Sequence, residues 1–141
     1  RRLGPGAAML IGVDLRKDAA ILEPAYDDAQ GVTARFSLNL LARANRELGA
    51  DFDLTQYRHE ARYEADAGRV VIHLRSLADQ IVHIGDEAFS IGRDEAIHIE
   101  DSWKYSVEGF RDLARAAGFA PLDCFVDADN LFSVHLLEAR P

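Results

Sequence analysis

Cysteine is almost missing from this chain, and basic residues are in deficit. One cysteine, Cys124, stands among 141 residues, which excludes an internal disulfide framework and a cysteine-built zinc site. Its simplest role is that of a small buried hydrophobe, and the usage suits a reducing compartment such as the cytoplasm. Lysine and arginine number 16 against 24 acids, for a net charge of −8. That balance repels phosphate backbones and argues against nucleic acid as a partner. No apolar run approaches the ~18 residues of a membrane helix, and no signal-type N-terminus is present. There is no glycine-rich phosphate loop, because Gly4-Pro5-Gly6 precedes a strand instead of following one. A Gly-x-Ser-x-Gly elbow is absent as well. The chain opens on Arg1-Arg2, not on methionine, and enters an apolar strand almost at once. The expectation is a piece of a longer polypeptide.

What is present reads as a mixed α/β chain. Ala8 to Val13 is apolar on both faces, the pattern of a parallel strand covered on two sides. Asp18 can cap a short helix through Leu22, with Pro24 interrupting it. From Thr33 an amphipathic helix follows, with Phe36, Leu40, Leu41, Ala44 and Leu48 as its stripe and Gly49 as its stop. The period then changes. His59–Ala65, Arg69–Arg75, Gln80–Ile84, Glu87–Ile91 and Glu95–Ser102 read as short strands of an antiparallel meander. Ser106 caps a helix with a Val107, Phe110, Leu113, Ala114 stripe, and two strands around an Asp127–Asn130 turn close the chain. A parallel sheet needs more strands than these, so the missing ones are expected before Arg1.

Several residues are candidates for chemistry. His73, His83 and His98 lie on predicted strands and offer one route to a metal, although no motif spacing accompanies them. Glu60 with Glu64, and Asp127 with Asp129, are acid pairs in strand edges and turns, where acids are ordinary surface residues. In Ile97–Tyr105, strand alternation places Glu100 and Ser102 on one face with His98, opposite Ile97 and Ile99. A carboxylate and a hydroxyl so spaced can grip a ring with two nitrogens. A solvated strand face with Glu100 paired to Lys104 fits the same spacing. Tyr26-Asp27-Asp28, near a helix start, is by itself an amphipathic residue beside favourably placed acids.

Longer strings carry more. Gly12-Val13-Asp14-Leu15, continued by Lys17-Asp18, resembles the GVDLxKD stretch of histidine N-alpha-methyltransferases of the ergothioneine pathway. The run from Ala25 to Ala34 resembles that family's AYDDxxGVTA, and Ile99 to Tyr105 is similar to its TExSxKY or TExSxKF. The ending from Val126 to Phe132 resembles TDPDGLF, so the likeness extends over essentially the whole chain.

The resemblance implies the C-terminal part of a Rossmann-like class I methyltransferase, with an inserted helical and antiparallel β substrate domain. Residues 1–17 and 106–141 would belong to the methyltransferase core, and residues 18–105 to the amino-acid-binding insertion. It implies methyl transfer from S-adenosyl-L-methionine (SAM) to the alpha-amino nitrogen of histidine or a related amino acid. Tyr26 would hold the amino acid, and Glu100 and Ser102 the imidazole. Ile72 stands where the family has a ring-pocket methionine. The SAM loop would lie N-terminal to Arg1. Ile99, Trp103 and Phe125 also depart from the family's pattern. The alternative is a non-catalytic ligand-binding or assembly module of the same fold, without the chemistry.

Overall fold

The computed structural model describes residues 4–140. The chain divides into two compact units, Arg1–Asp18 with Trp103–Pro141, and Ala19–Ser102.

The first unit holds strand β1 (Ala8–Asp14) and three later elements of the chain, a helix and two strands. β1 pairs antiparallel with the last strand, Phe132–Ala139, and that strand also pairs antiparallel with Phe119–Val126. β1 therefore stands at one edge of this three-stranded sheet. Its partner is an antiparallel return strand, and its side chains alternate between exposed and covered, with Leu10 open to solvent and Val13 buried. Val13, Leu137, Phe110 and Ala114 form the unit's core, the last two from the helix Val107–Ala116. Ser106 caps that helix as expected, its hydroxyl oxygen accepting the Gly109 N–H at 3.0 Å. Pro121 falls within the strand Phe119–Val126, next to a register shift between Pro121 and Asp123. This is an edge strand, where a missing N–H and a bulge are tolerated.

The second unit begins with helices α1 (Ala19–Tyr26) and α2 (Val32–Leu48). Pro24 does not end α1. The proline sits in the helix's last turn, and the Asp27 N–H still reaches the Glu23 carbonyl at 2.8 Å. Strands β2 (Tyr57–Glu64), β3 (Arg69–Ser76), β4 (Gln80–Ile84), β5 (Glu87–Ile91) and β6 (Ala96–Trp103) follow, β6 running to the unit boundary. β2, β3 and β6 form one sheet with β3 in the middle, and β4–β5 is a separate ribbon. The central position explains why Val70, Ile72 and Leu74 of β3 are buried. The remaining helix and strands of the first unit become α3 (Val107–Ala116), β7 (Phe119–Val126) and β8 (Phe132–Ala139).

α2 has the expected extent but not the expected face. Its buried residues are Ser37 and Leu41, while Phe36 and Leu40 are 70% and 49% exposed. Leu41 packs with Tyr57, Leu74, Val82 and Ile91. Asn45 fixes the helix rotation from the same side, donating to the Phe52 carbonyl at 2.8 Å and accepting the Phe52 N–H at 2.9 Å. Those two bonds choose between apolar faces that periodicity alone leaves equal. Leu41→Ala should cost about 2–5 kcal/mol in urea unfolding, the range for a truncated core leucine, and Leu40→Ala less than about 1 kcal/mol. Equal losses would mean that α2 is rotated from this placement.

Candidate functional site

Within the second unit two distant stretches of sequence meet. Tyr26 ends α1, and its hydroxyl lies 2.8 Å from Ser102 Oγ on β6. The tyrosine ring packs on Leu22, Val70 and Ile72. Ile72 is only 3% exposed and lies in the floor beneath Tyr26 and Ile99. Glu100 borders a neighbouring hollow of about 300 Å³, walled by Phe36, Leu40 and Arg43 of α2 and by Ile99. Ile99 therefore belongs both to the tyrosine cluster and to the wall beside Glu100.

Strand alternation fails in the middle of this motif. Regular alternation puts His98 with Ser102, and Ile99 on the other side. Instead Ser102 meets Tyr26, and Ile99 packs against the same Leu22, Val70 and Ile72 cluster as Tyr26 does. His98 turns to the far side, where its ring lies 5.5 Å from that of His73 and its Nε2 is 3.1 Å from Asp101. Asp101 also takes Arg69 Nη1 at 2.8 Å. The period-two phase thus advances by one residue between Ile99 and Asp101, and the expectation that His98 accompanies Ser102 is corrected.

The backbone around Tyr26 is held from three directions. Its carbonyl accepts a hydrogen bond from His59 Nε2 on β2 at 2.8 Å. The Glu23 carboxylate accepts the Tyr63 N–H at 3.2 Å, a second tie between α1 and β2. Asp28 accepts the Val32 and Thr33 N–H groups at 2.9 Å each, capping α2 from beyond Gly31. These backbone donors hold the Asp28 carboxyl at about 2, below its ordinary 3.8.

The other candidates resolve into structural roles. His83 lies in the β4–β5 ribbon against Asp51, away from His73 and His98. Among the described residues no group of three or more His, Cys, Asp or Glu is placed to hold a metal ion. Glu60 is clamped by Arg75, first, and by Arg58, and these hold its carboxyl at about 2. Glu64 pairs with Arg69. Asp127 accepts the Leu131 and Phe132 N–H groups, which organises the β7–β8 turn. His135 is buried, 3.0 Å from Ser133 Oγ, and burial pushes its imidazole below the ordinary 6.5. His59 and the α2 wall were not singled out by sequence reasoning. The available signal for His59 was parity, since it shares the inward phase of Tyr57, Ala61 and Tyr63 on β2.

In the first unit, β1 ends on Asp14, where two ammonium groups converge. Lys104 Nζ lies 2.8 Å from Asp14 Oδ2, and its side chain is only 1% exposed. Lys17 takes the other oxygen. Burial pushes the Asp14 carboxyl up, and the two lysines together outweigh that and hold it below its ordinary 3.8. Asp14→Asn would strip Lys104 of this counter-charge and should cost about 3 kcal/mol, the scale of a broken buried pair. A depressed carboxyl stabilises fully above its unfolded value and loses that contribution as pH falls through the folded one. Acid unfolding of the wild type and Asp14→Asn should therefore converge below pH 3.8. A constant gap between them across that range would show that Asp14 is not ion-paired.

Comparison with known proteins accounts for the motifs. The family described as histidine-specific, SAM-dependent methyltransferases matches residues 1–139. A histidine N-alpha-methyltransferase of Mycolicibacterium smegmatis is 38% identical over 136 residues, 95% of this chain and 42% of that protein. One from Mycobacterium tuberculosis is 38% identical over 134 residues, 94% of this chain and again 42% of the relative. Ergothioneine biosynthesis protein 1 of Neurospora crassa is 35% identical over 138 residues, 96% of this chain and 15% of its own length. The chain thus spans less than half the length of these relatives. With the match running from the first strand through the last, the chain belongs to the histidine-specific, SAM-dependent methyltransferase family.

Proposed function

We propose that the protein methylates the alpha-amino nitrogen of histidine, and that this chain supplies the residues that hold the amino acid. The observation that carries the reading is the 2.8 Å contact between Tyr26 and Ser102. It joins two stretches that the family resemblance assigns to one substrate. Tyr26 positions the amino acid by its hydroxyl. Glu100 accepts an imidazole N–H, and Ser102 serves the other ring nitrogen as donor or acceptor. Ile72 acts from the floor, where a β-branched residue in place of methionine sets how Tyr26 and Ile99 sit. The unit Ala19–Ser102 is then the amino-acid-binding part. The other unit is the end of a Rossmann-like core, in which β1 and β7 run parallel to each other with the reversed β8 between them.

SAM supplies a methyl group already activated for displacement. The described residues of this chain do not fit as its cradle. No glycine-rich turn joins a strand to a helix among them, and the acid at the end of β1, Asp14, is committed to Lys17 and Lys104. What these residues do is orient the amine, and orientation is a large part of the barrier in a bimolecular displacement.

Labelled SAM offered to the full protein with each proteinogenic amino acid in turn should leave label in histidine. Label in none would favour a binding module that keeps the fold without the chemistry. Glu100→Ala should weaken histidine binding by about 1.5–3 kcal/mol in calorimetric titration, the range for a hydrogen bond to a charged group. An unchanged dissociation constant would remove Glu100 from the ring site.

A further inference from the structure

A buried histidine stands directly behind the candidate substrate tyrosine. His59 is 7% exposed on β2, and its Nε2 lies 2.8 Å from the backbone carbonyl of Tyr26. A carbonyl oxygen only accepts, so Nε2 carries the proton in this contact. The other ring nitrogen, Nδ1, is buried with no hydrogen-bond partner among the described residues. The ring is thus turned to serve one acceptor.

That acceptor is the last residue of α1. Terminal carbonyls of a helix have no partner within the helix and are met by water or side chains. Here water is replaced by a side chain anchored in a sheet. α1 is only eight residues long and contains Pro24 in its last turn, so ties from the sheet add to the helix's own bonds in placing Tyr26. The Glu23 tie to Tyr63 sits one turn earlier and restrains the helix body, not its last residue. The His59 bond is therefore a direct tie between the Tyr26 backbone and β2, and it helps set where the hydroxyl stands against Ser102.

We infer that His59 is a positioning residue for amino-acid binding: it donates to the Tyr26 carbonyl and sets the tyrosine hydroxyl at Ser102. This rests on the reading of Tyr26 and Ser102 as substrate-holding groups. His59 touches neither substrate nor reacting atoms, so its loss should act on amino-acid affinity before anything else.

The test compares His59→Gln, whose side-chain amide keeps a donor near the Nε2 position, with His59→Leu, which has none, in the full protein. Histidine KM, kcat, SAM affinity and amide hydrogen exchange over residues 23–31 are measured for each. His59→Leu should raise the histidine KM about tenfold or more, leave SAM affinity unchanged and speed exchange at the end of α1. His59→Gln should restore KM to within about threefold of wild type. In a Tyr26→Phe background, His59→Leu should add much less than it does alone, because both changes act through one hydroxyl. A His59→Leu protein with faster exchange but wild-type KM would overturn the inference, since His59 would then be structural only. Unchanged exchange, or full additivity with Tyr26→Phe, would overturn it as well. If the wild type itself binds no histidine, the functional reading fails and this inference falls with it. That outcome differs visibly from a wild type that binds histidine and a His59→Leu protein that binds it equally well.

Discussion

Everything proposed for the second unit hangs on where Tyr26 is held. Its ring rests on Val70 and Ile72, its carbonyl is taken by His59, and its hydroxyl meets Ser102. These contacts come from β3, β2 and β6, the three strands of one sheet. A residue at the end of a short helix is thereby tied to a rigid platform. Function asks for this, because a hydroxyl that orients a substrate must itself lose little freedom on binding.

The arrangement also divides the labour among polar groups. Within the second unit the charges of β2 and β6 are paired on their own sheet: Glu60 with Arg75 and Arg58, and Asp101 with Arg69. Glu100 stays at the rim of an open hollow, with apolar Phe36, Leu40 and Ile99 beside it. In the proposed reading, an exposed carboxylate beside aromatic and aliphatic walls meets a flat ring that presents an N–H. The exposed stripe of α2 thus gains a use that a core-facing stripe would not have.

Much of the fold was legible from residue patterns. Ser106 and the period of Phe110 and Ala114 mark α3, the alternation in Arg69–Arg75 marks β3, and the runs Gln80–Ile84 and Glu87–Ile91 mark the β4–β5 ribbon. What was not legible depended on partners far along the chain. Phe36, Leu40 and Leu41 are comparably apolar, and the packing of Leu41 on Tyr57 and Leu74 with Asn45 gripping Phe52 selects the buried face of α2. The apolar run in β1 looks two-sided, but its covered face is the one that meets Phe110 and Leu137. The slip between Ile99 and Asp101 shows only through the partners of Asp101 and Ser102, Arg69 and Tyr26, both distant in sequence. The site followed the same rule. Tyr26, Glu100, Ser102 and Ile72 entered through motif resemblance. His59 carries no motif, and its relevance appears only when its ring is seen against the Tyr26 carbonyl.

The central claim is that these residues hold the amino acid, and a crystal structure of the full protein with bound histidine tests it most directly. The imidazole should lie between Glu100 and Ser102, each within hydrogen-bonding distance, with the Tyr26 hydroxyl against the amino-acid end. Histidine bound elsewhere, with the Tyr26–Ser102 contact intact and no ligand beside Glu100, would contradict it.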